Sequence, residues 1–112
     1  MSDTFKIVTI CGSMRFYDTM VKVAEQETAA GSIVLMPFCA INADEQGSDL
    51  KSMLDRMHFA KIDMCDHIIV VTDENGYVGT STRREMAYAI KNGKLLNGTL
   101  DVRDIAPIAG AR

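Results

Sequence analysis

The stretch Ile7-Val8-Thr9-Ile10 constrains this chain more than any other. It is continuous, β-branched and without polar alternation, so it reads as a strand that buries both of its faces. Two runs of the same kind follow, Ile33-Val34-Leu35-Met36 and Ile68-Ile69-Val70-Val71, and Lys94-Leu95-Leu96 reads as a short fourth strand. Helical spacing fills the gaps. Phe16, Met20, Val23 and Ala24 share a face before Gly31, and Leu50, Met53, Leu54, Met57, Lys61 and Met64 keep it up to Asp66. A third helix carries Met86, Ala87, Ala89 and Ile90 and closes at Asn92-Gly93. Met53, Met57 and Met64 sit at core spacing and need no ligand to explain them.

Buried strands alternating with helices predict an α/β fold with a three-layer, doubly wound parallel sheet. The expectation is a flavodoxin- or Rossmann-like sheet of four or five strands in the order 2-1-3-4. Ile105-Ala106-Pro107-Ile108 reads as a last short strand or as an arm onto a neighbour. At 112 residues the chain accommodates one core, so residues 1–112 are expected to form a single domain. Residues 37 to 48 read as a loop long enough to be functional.

Formal charge is −3, from 12 basic and 15 acidic residues, which argues against partners that need a basic face. Neither nucleic acid nor a membrane is expected as a partner. No apolar run approaches the roughly 20 residues that span a bilayer. Met1-Ser2-Asp3-Thr4 lacks the basic and apolar parts of a signal peptide, and a cytoplasmic location is expected. Cys11, Cys39 and Cys65 contain no CxxC pair, so neither a disulfide framework nor a zinc site is indicated. Cys65 and His67 are neighbours, but two ligands do not make a metal site.

In sheets of this kind ligands bind beyond the carboxyl ends of the strands. Two loops leave that edge, Cys11–Arg15 after the first strand and Asp73–Ser81 after the third. The first, CGSMR, offers backbone N–H groups, a hydroxyl on Ser13 and the fork of Arg15, a set suited to an anion. A plainer reading has Gly12 making the turn and Ser13 capping the helix. It is neither a GxxxxGK[ST] loop nor a GxGxxG fingerprint. In the second, GYVGTSTRRE, Thr82 and Glu85 fit a capping box. Alternatively Thr80 or Ser81 caps, which leaves Glu85 at the pocket edge, free to attack an electropositive sugar carbon. His58, at helical spacing between Leu54 and Ile62, reads first as a packed residue. Phe16, Phe38 and Tyr77 lie near strand ends or on loops and can stack on a base.

Across residues 6 to 96 these stretches, CGSMRF, LDRMHFAKIDMCDHIIVV and GYVGTSTRREMAYAIKNGK, resemble the nucleoside 2-deoxyribosyltransferase superfamily. Within it the chain more closely resembles the small phage and bacterial members, and it is also similar to nucleoside 5′-monophosphate N-glycosidases. The resemblance implies that Glu85 attacks the anomeric carbon and expels the base, and that a second base or water resolves the glycosyl ester. It implies that Gly12, Ser13 and Arg15 hold a 5′-phosphate, with Thr80 and Ser81 adding contacts; from the residues themselves, Gly79 lets a ligand approach the backbone and Tyr77 can stack on a base. His58 stands where the family usually has an aspartate, and becomes the candidate proton donor, with Lys61 and Asp63 as weaker candidates to orient it. No metal or organic cofactor is implied. The implied partner is a small nucleoside or nucleotide, bound by a homodimer or higher homo-oligomer. A binding module without turnover is the rival expectation.

Overall fold

The computed structural model describes residues 4–38, 47–73 and 75–101. The chain runs β1 (Ile7–Gly12), a short 3-10 turn (Met14–Phe16), α1 (Tyr17–Ala29), β2 (Ile33–Leu35), α2 (Asp49–Met64), β3 (His67–Thr72), α3 (Thr80–Lys91) and β4 (Leu95–Asp101). The sheet is parallel with the core order 2-1-3, and β4 extends it beside β3. Among the described residues the order 2-1-3 agrees with the expectation. The segment Ile105–Ile108 lies outside the described residues.

β1 and β3 are the centre of the sheet, and β3 is buried along its whole length. Their register sets Cys11 beside Val70 and Gly12 beside Val71. Asp66 locks the start of this pairing. The Ile7 N–H donates to Asp66 Oδ2 at 2.8 Å while the Asp66 N–H donates to the Ile7 carbonyl at 2.8 Å.

Met20 and Val23 of α1 pack on one face of the sheet against Val8, Ile10, Ile69 and Val71. On the other face Ile62, at the end of α2, and Ala89 of α3 pack against Cys11, Ile68 and Val70. Helices therefore cover both faces, which is why the β-branched runs carry no polar alternation. Phe59 and Tyr88 meet at 4.7 Å between ring centroids and tie α2 to α3.

The methionine stripe departs from expectation. Met53, Met57 and Met64 are exposed, at 41%, 44% and 61%, whereas His58 and Ile62 form the buried face of α2. The helix is turned by about one residue, roughly 100°, from the face that its methionines marked. α3 shows the same effect in milder form: Ala89 is buried and Met86 half-buried, but Ala87 and Ile90 are exposed. Among the described residues no helix is long and apolar enough to cross a membrane.

Gly12 is where the sheet is tightest. A Cβ there would lie 3.1 Å from the Val71 carbonyl oxygen, a backbone atom, and 3.3 Å from Met20 Sδ. Gly12→Ala is expected to destabilise the fold by about 1–3 kcal/mol, the usual cost of overpacking. Urea denaturation checks this; an unchanged midpoint would show that β3 yields to the methyl group.

Candidate functional site

The two loops at the carboxyl edge are built differently. After β1, Ser13 Oγ accepts from the Arg15 N–H at 3.3 Å and starts the 3-10 turn. After β3 the chain wraps round one carboxylate: the Asn75 and Tyr77 N–H groups both donate to Asp73 Oδ1 at 2.9 Å. Gly76, at φ +75°, supplies the left-handed residue this turn needs. The loop delivers Gly79 as the N-cap of α3, with no side-chain cap bond.

That start excludes the capping box. Thr82 lies inside the first turn and Glu85 falls in the second, with no terminal N–H left for it to accept from. Neither Thr80 nor Ser81 is the N-cap, because Gly79 takes that position without needing a side chain. Glu85 points instead to a cavity of about 360 Å³.

Gly12 and Ser13 line this cavity from the first loop, Gly79, Thr80, Ser81 and Glu85 from the second, and Lys51, Asp55 and His58 from α2. Met14, Pro37, Leu54 and Thr82 complete the wall. Gly12, Ser13, His58, Gly79, Thr80, Ser81 and Glu85, all candidates from the sequence, thus meet in one place. Arg15 and Tyr77 are not among the lining residues. The Arg15 guanidinium stacks 4.6 Å from the Tyr77 ring centroid, and Phe16 meets the same ring edge-on at 6.2 Å. The three form a cation–π cluster of their own beside the cavity, with the face of the guanidinium on the Tyr77 ring.

Lys51 and Asp55 went unnoticed in the sequence. They lie at i, i+4 spacing and share a helix face with His58, a signal hidden by the adjacent methionine stripe. Lys51 Nζ donates to both Asp55 oxygens, at 2.7 and 2.6 Å, and to Ser81 Oγ at 3.4 Å. The weaker candidates do not reach His58 through hydrogen bonds. Lys61 Nζ donates to the Met36 carbonyl at 2.8 Å, and Asp63 accepts from the Tyr88 hydroxyl at 2.7 Å. Phe38 is 70% exposed, with the Lys61 amine 5.3 Å from its ring centre.

Beneath the cavity, His58 Nε2 lies 3.6 Å from Glu85 Oε1 and 3.4 Å from Cys11 Sγ. Burial raises Glu85 from 4.5 to about 7, partly opposed by the Cys11 thiol and Lys51 and reinforced by Asp55. Burial, helped by the nearby Lys61 charge, lowers His58 from 6.5 to about 4. The imidazole is therefore neutral at neutral pH. Among the described residues, Cys11, His58 and Glu85 are the group whose side-chain atoms can share a metal ion, all lying within 4.8 Å of one another. A thiolate would be needed, and burial followed by the Glu85 charge pushes the Cys11 thiol well above its ordinary value. A cation bound there would itself have to displace the thiol proton.

Comparison with family models, with curated proteins and with solved structures found no match to this chain.

The two shifts have opposite linkage. Between pH 4.5 and about 7 the folded state keeps a proton on Glu85 that the unfolded chain has released, so stability falls as pH rises. Between about 4 and 6.5 the unfolded chain protonates His58 and the folded state does not, so stability rises with pH. Glu85→Gln removes only the first effect. The variant is expected to gain stability over the parent from pH 4.5 to above 7, by up to about 3 kcal/mol. Urea denaturation at both ends of the range measures it; an equal difference at both would mean that Glu85 ionises as an ordinary carboxyl.

Proposed function

We propose that this chain cleaves, or exchanges the base of, the N-glycosidic bond of a nucleoside or, preferentially, a nucleoside 5′-monophosphate. The observation that carries the reading is the placement of Glu85, which caps nothing and faces a cavity shared with Ser13, Thr80 and Ser81. In the proposed step a Glu85 carboxylate oxygen bonds to the anomeric carbon as the C–N bond breaks. The bonding pair leaves with the base, which takes a proton from solvent. Water or a second base then displaces the ester and restores the carboxylate.

The start of α3 supports a phosphate at the other end of the cavity. Its first N–H groups lack a side-chain cap, the helix dipole favours an anion there, and Lys51 and the Ser13 hydroxyl lie on the same wall. Lys51 thus replaces Arg15 as the proposed cationic contact. His58 remains a neutral hydrogen-bonding neighbour of Glu85.

Incubation with a panel of nucleosides and nucleoside monophosphates, followed by chromatography for free base, tests the reading. Glu85→Gln is expected to abolish base release while keeping ligand affinity, and wild-type kcat/KM should rise with pH through about 7 as Glu85 ionises. Lys51→Met should weaken monophosphate binding by about 1.5–3 kcal/mol and nucleoside binding by much less. Full activity in Glu85→Gln would refute the nucleophile. The neutral His58, which leaves no strong acid to protonate a departing base, favours a second reading: a nucleotide-binding sensor. Monophosphate binding without base release by the wild type would establish that reading instead.

We also propose a homodimer or higher homo-oligomer formed through α2. Leu50, Met53, Met57 and Met64 are exposed along this helix, whose neighbouring face supplies Lys51, Asp55 and His58 to the cavity. A substantial apolar stripe beside a site is the usual mark of an interface. Met53→Glu with Met57→Glu should shift the assembly toward monomer in sedimentation experiments; a wild-type monomer at working concentration would overturn the assembly.

A further inference from the structure

Cys11 is fully buried at the carboxyl end of β1, just before Gly12 turns the chain into the cavity wall. It does not itself line the cavity, so it acts on a ligand only through its neighbours. Those neighbours are His58 Nε2, 3.4 Å from its Sγ, and the Glu85 carboxylate, within 4.8 Å. His58 Nε2 is in turn 3.6 Å from Glu85 Oε1. Side chains from β1, α2 and α3 thereby converge on one point under the cavity floor.

We propose that Cys11 is a positioning residue whose thiol, together with His58 Nε2, holds the Glu85 carboxylate in the orientation it presents to the cavity. The inference rests on Glu85 as the reactive group, but its physical content is measurable without turnover.

Hydrogen-bond chemistry supports it. His58 Nδ1 is buried without a partner, so the ring's polar contacts fall on Nε2, which faces both Cys11 and Glu85. A carboxylate is acceptor-only and gains from every converging donor, whereas a thiol is a weak one. The thiol remains protonated through the neutral range, since burial and the Glu85 charge both oppose its ionisation. It is therefore a donor whenever Glu85 is charged. The other groups facing Glu85 come from α2: Lys51 favours its charged form and Asp55 opposes it. With burial raising the Glu85 value most, Cys11 is the largest influence that restrains it. An aliphatic residue would fill the same space in the core but leave the carboxylate without this donor.

The test is a titration of Glu85 by carboxyl-carbon NMR in glutamate-labelled protein, with the resonance assigned by its loss in Glu85→Gln. Cys11→Ala should raise the Glu85 midpoint by about half a unit to one unit, as expected for a lost hydrogen bond to the charged form. Cys11→Ser, with a stronger donor in the same place, should hold the midpoint at or below that of the parent. Far-UV circular dichroism establishes that each variant is folded. If the alanine variant does not fold, the serine variant decides: a midpoint no higher than the parent's supports the proposal, and a raised one overturns it. An identical midpoint in the folded alanine variant also overturns it. If the protein proves active, the low-pH limb of kcat/KM should move with the NMR midpoint in each variant. Absence of turnover with the titration order intact would sink the glycosidic reading alone and leave the positioning role standing.

Discussion

The parallel pairing of β1 with β3 is the constraint on which the rest depends. It sets Gly12 beside Val71 at the carboxyl edge, so the loops that follow both strands leave the sheet side by side. The Asp66 clamp at the opposite end, which ties the residue before β3 to Ile7 at the start of β1, helps to fix the register. A slip of one residue would exchange the two faces of β1. Cys11 would then leave the α2–α3 side, and the cluster with His58 and Glu85 would be lost. The tight approach at Gly12 is a consequence of the same pairing, because a strand end and a turn must pass within contact of the β3 backbone.

Burial dominates the electrostatics of the site. Three ionisable groups lie close together with little water, and each is pushed toward its uncharged form. The pair His58–Glu85, although 3.6 Å apart, is near neutrality a neutral imidazole beside a half-ionised carboxyl. A carboxyl tuned to the middle of the physiological range is what nucleophilic or acid–base work asks for, and perturbed groups of this kind concentrate at functional sites. By contrast, Lys51 and Asp55 at the cavity wall satisfy each other, and a ligand anion would have to compete for the ammonium.

The strands were legible because a run such as Ile68–Val71 has few structural alternatives: continuous, β-branched and bounded by turns. The ends of the helices were legible too, as Gly31 and Gly93 have the positive φ that closes a helix cheaply. The faces of the helices were not. Met53, Met57 and Met64 form a stripe as periodic as any core, and only the docking of α2 shows that the stripe beside it, with His58 and Ile62, is the one turned inward. The place of Arg15 was not legible for a related reason, since its guanidinium stacks on the Tyr77 ring, a partner far away in the chain.

What the sequence determined by itself is the alternation of buried strands and helices, and hence a sheet edge where Ser13, Thr80, Ser81 and Glu85 collect. Local rules suffice for this, because strand burial, turns and helix ends are written in neighbouring residues. Two things were decided only by tertiary structure: that Glu85 is free of the helix cap, and that Cys11 and His58 stand against it. The first turns on where α3 starts, at Gly79 rather than three residues later, which the Asp73-centred loop sets. The second brings together residues 47 positions apart, and their protonation follows from how completely the fold removes them from water.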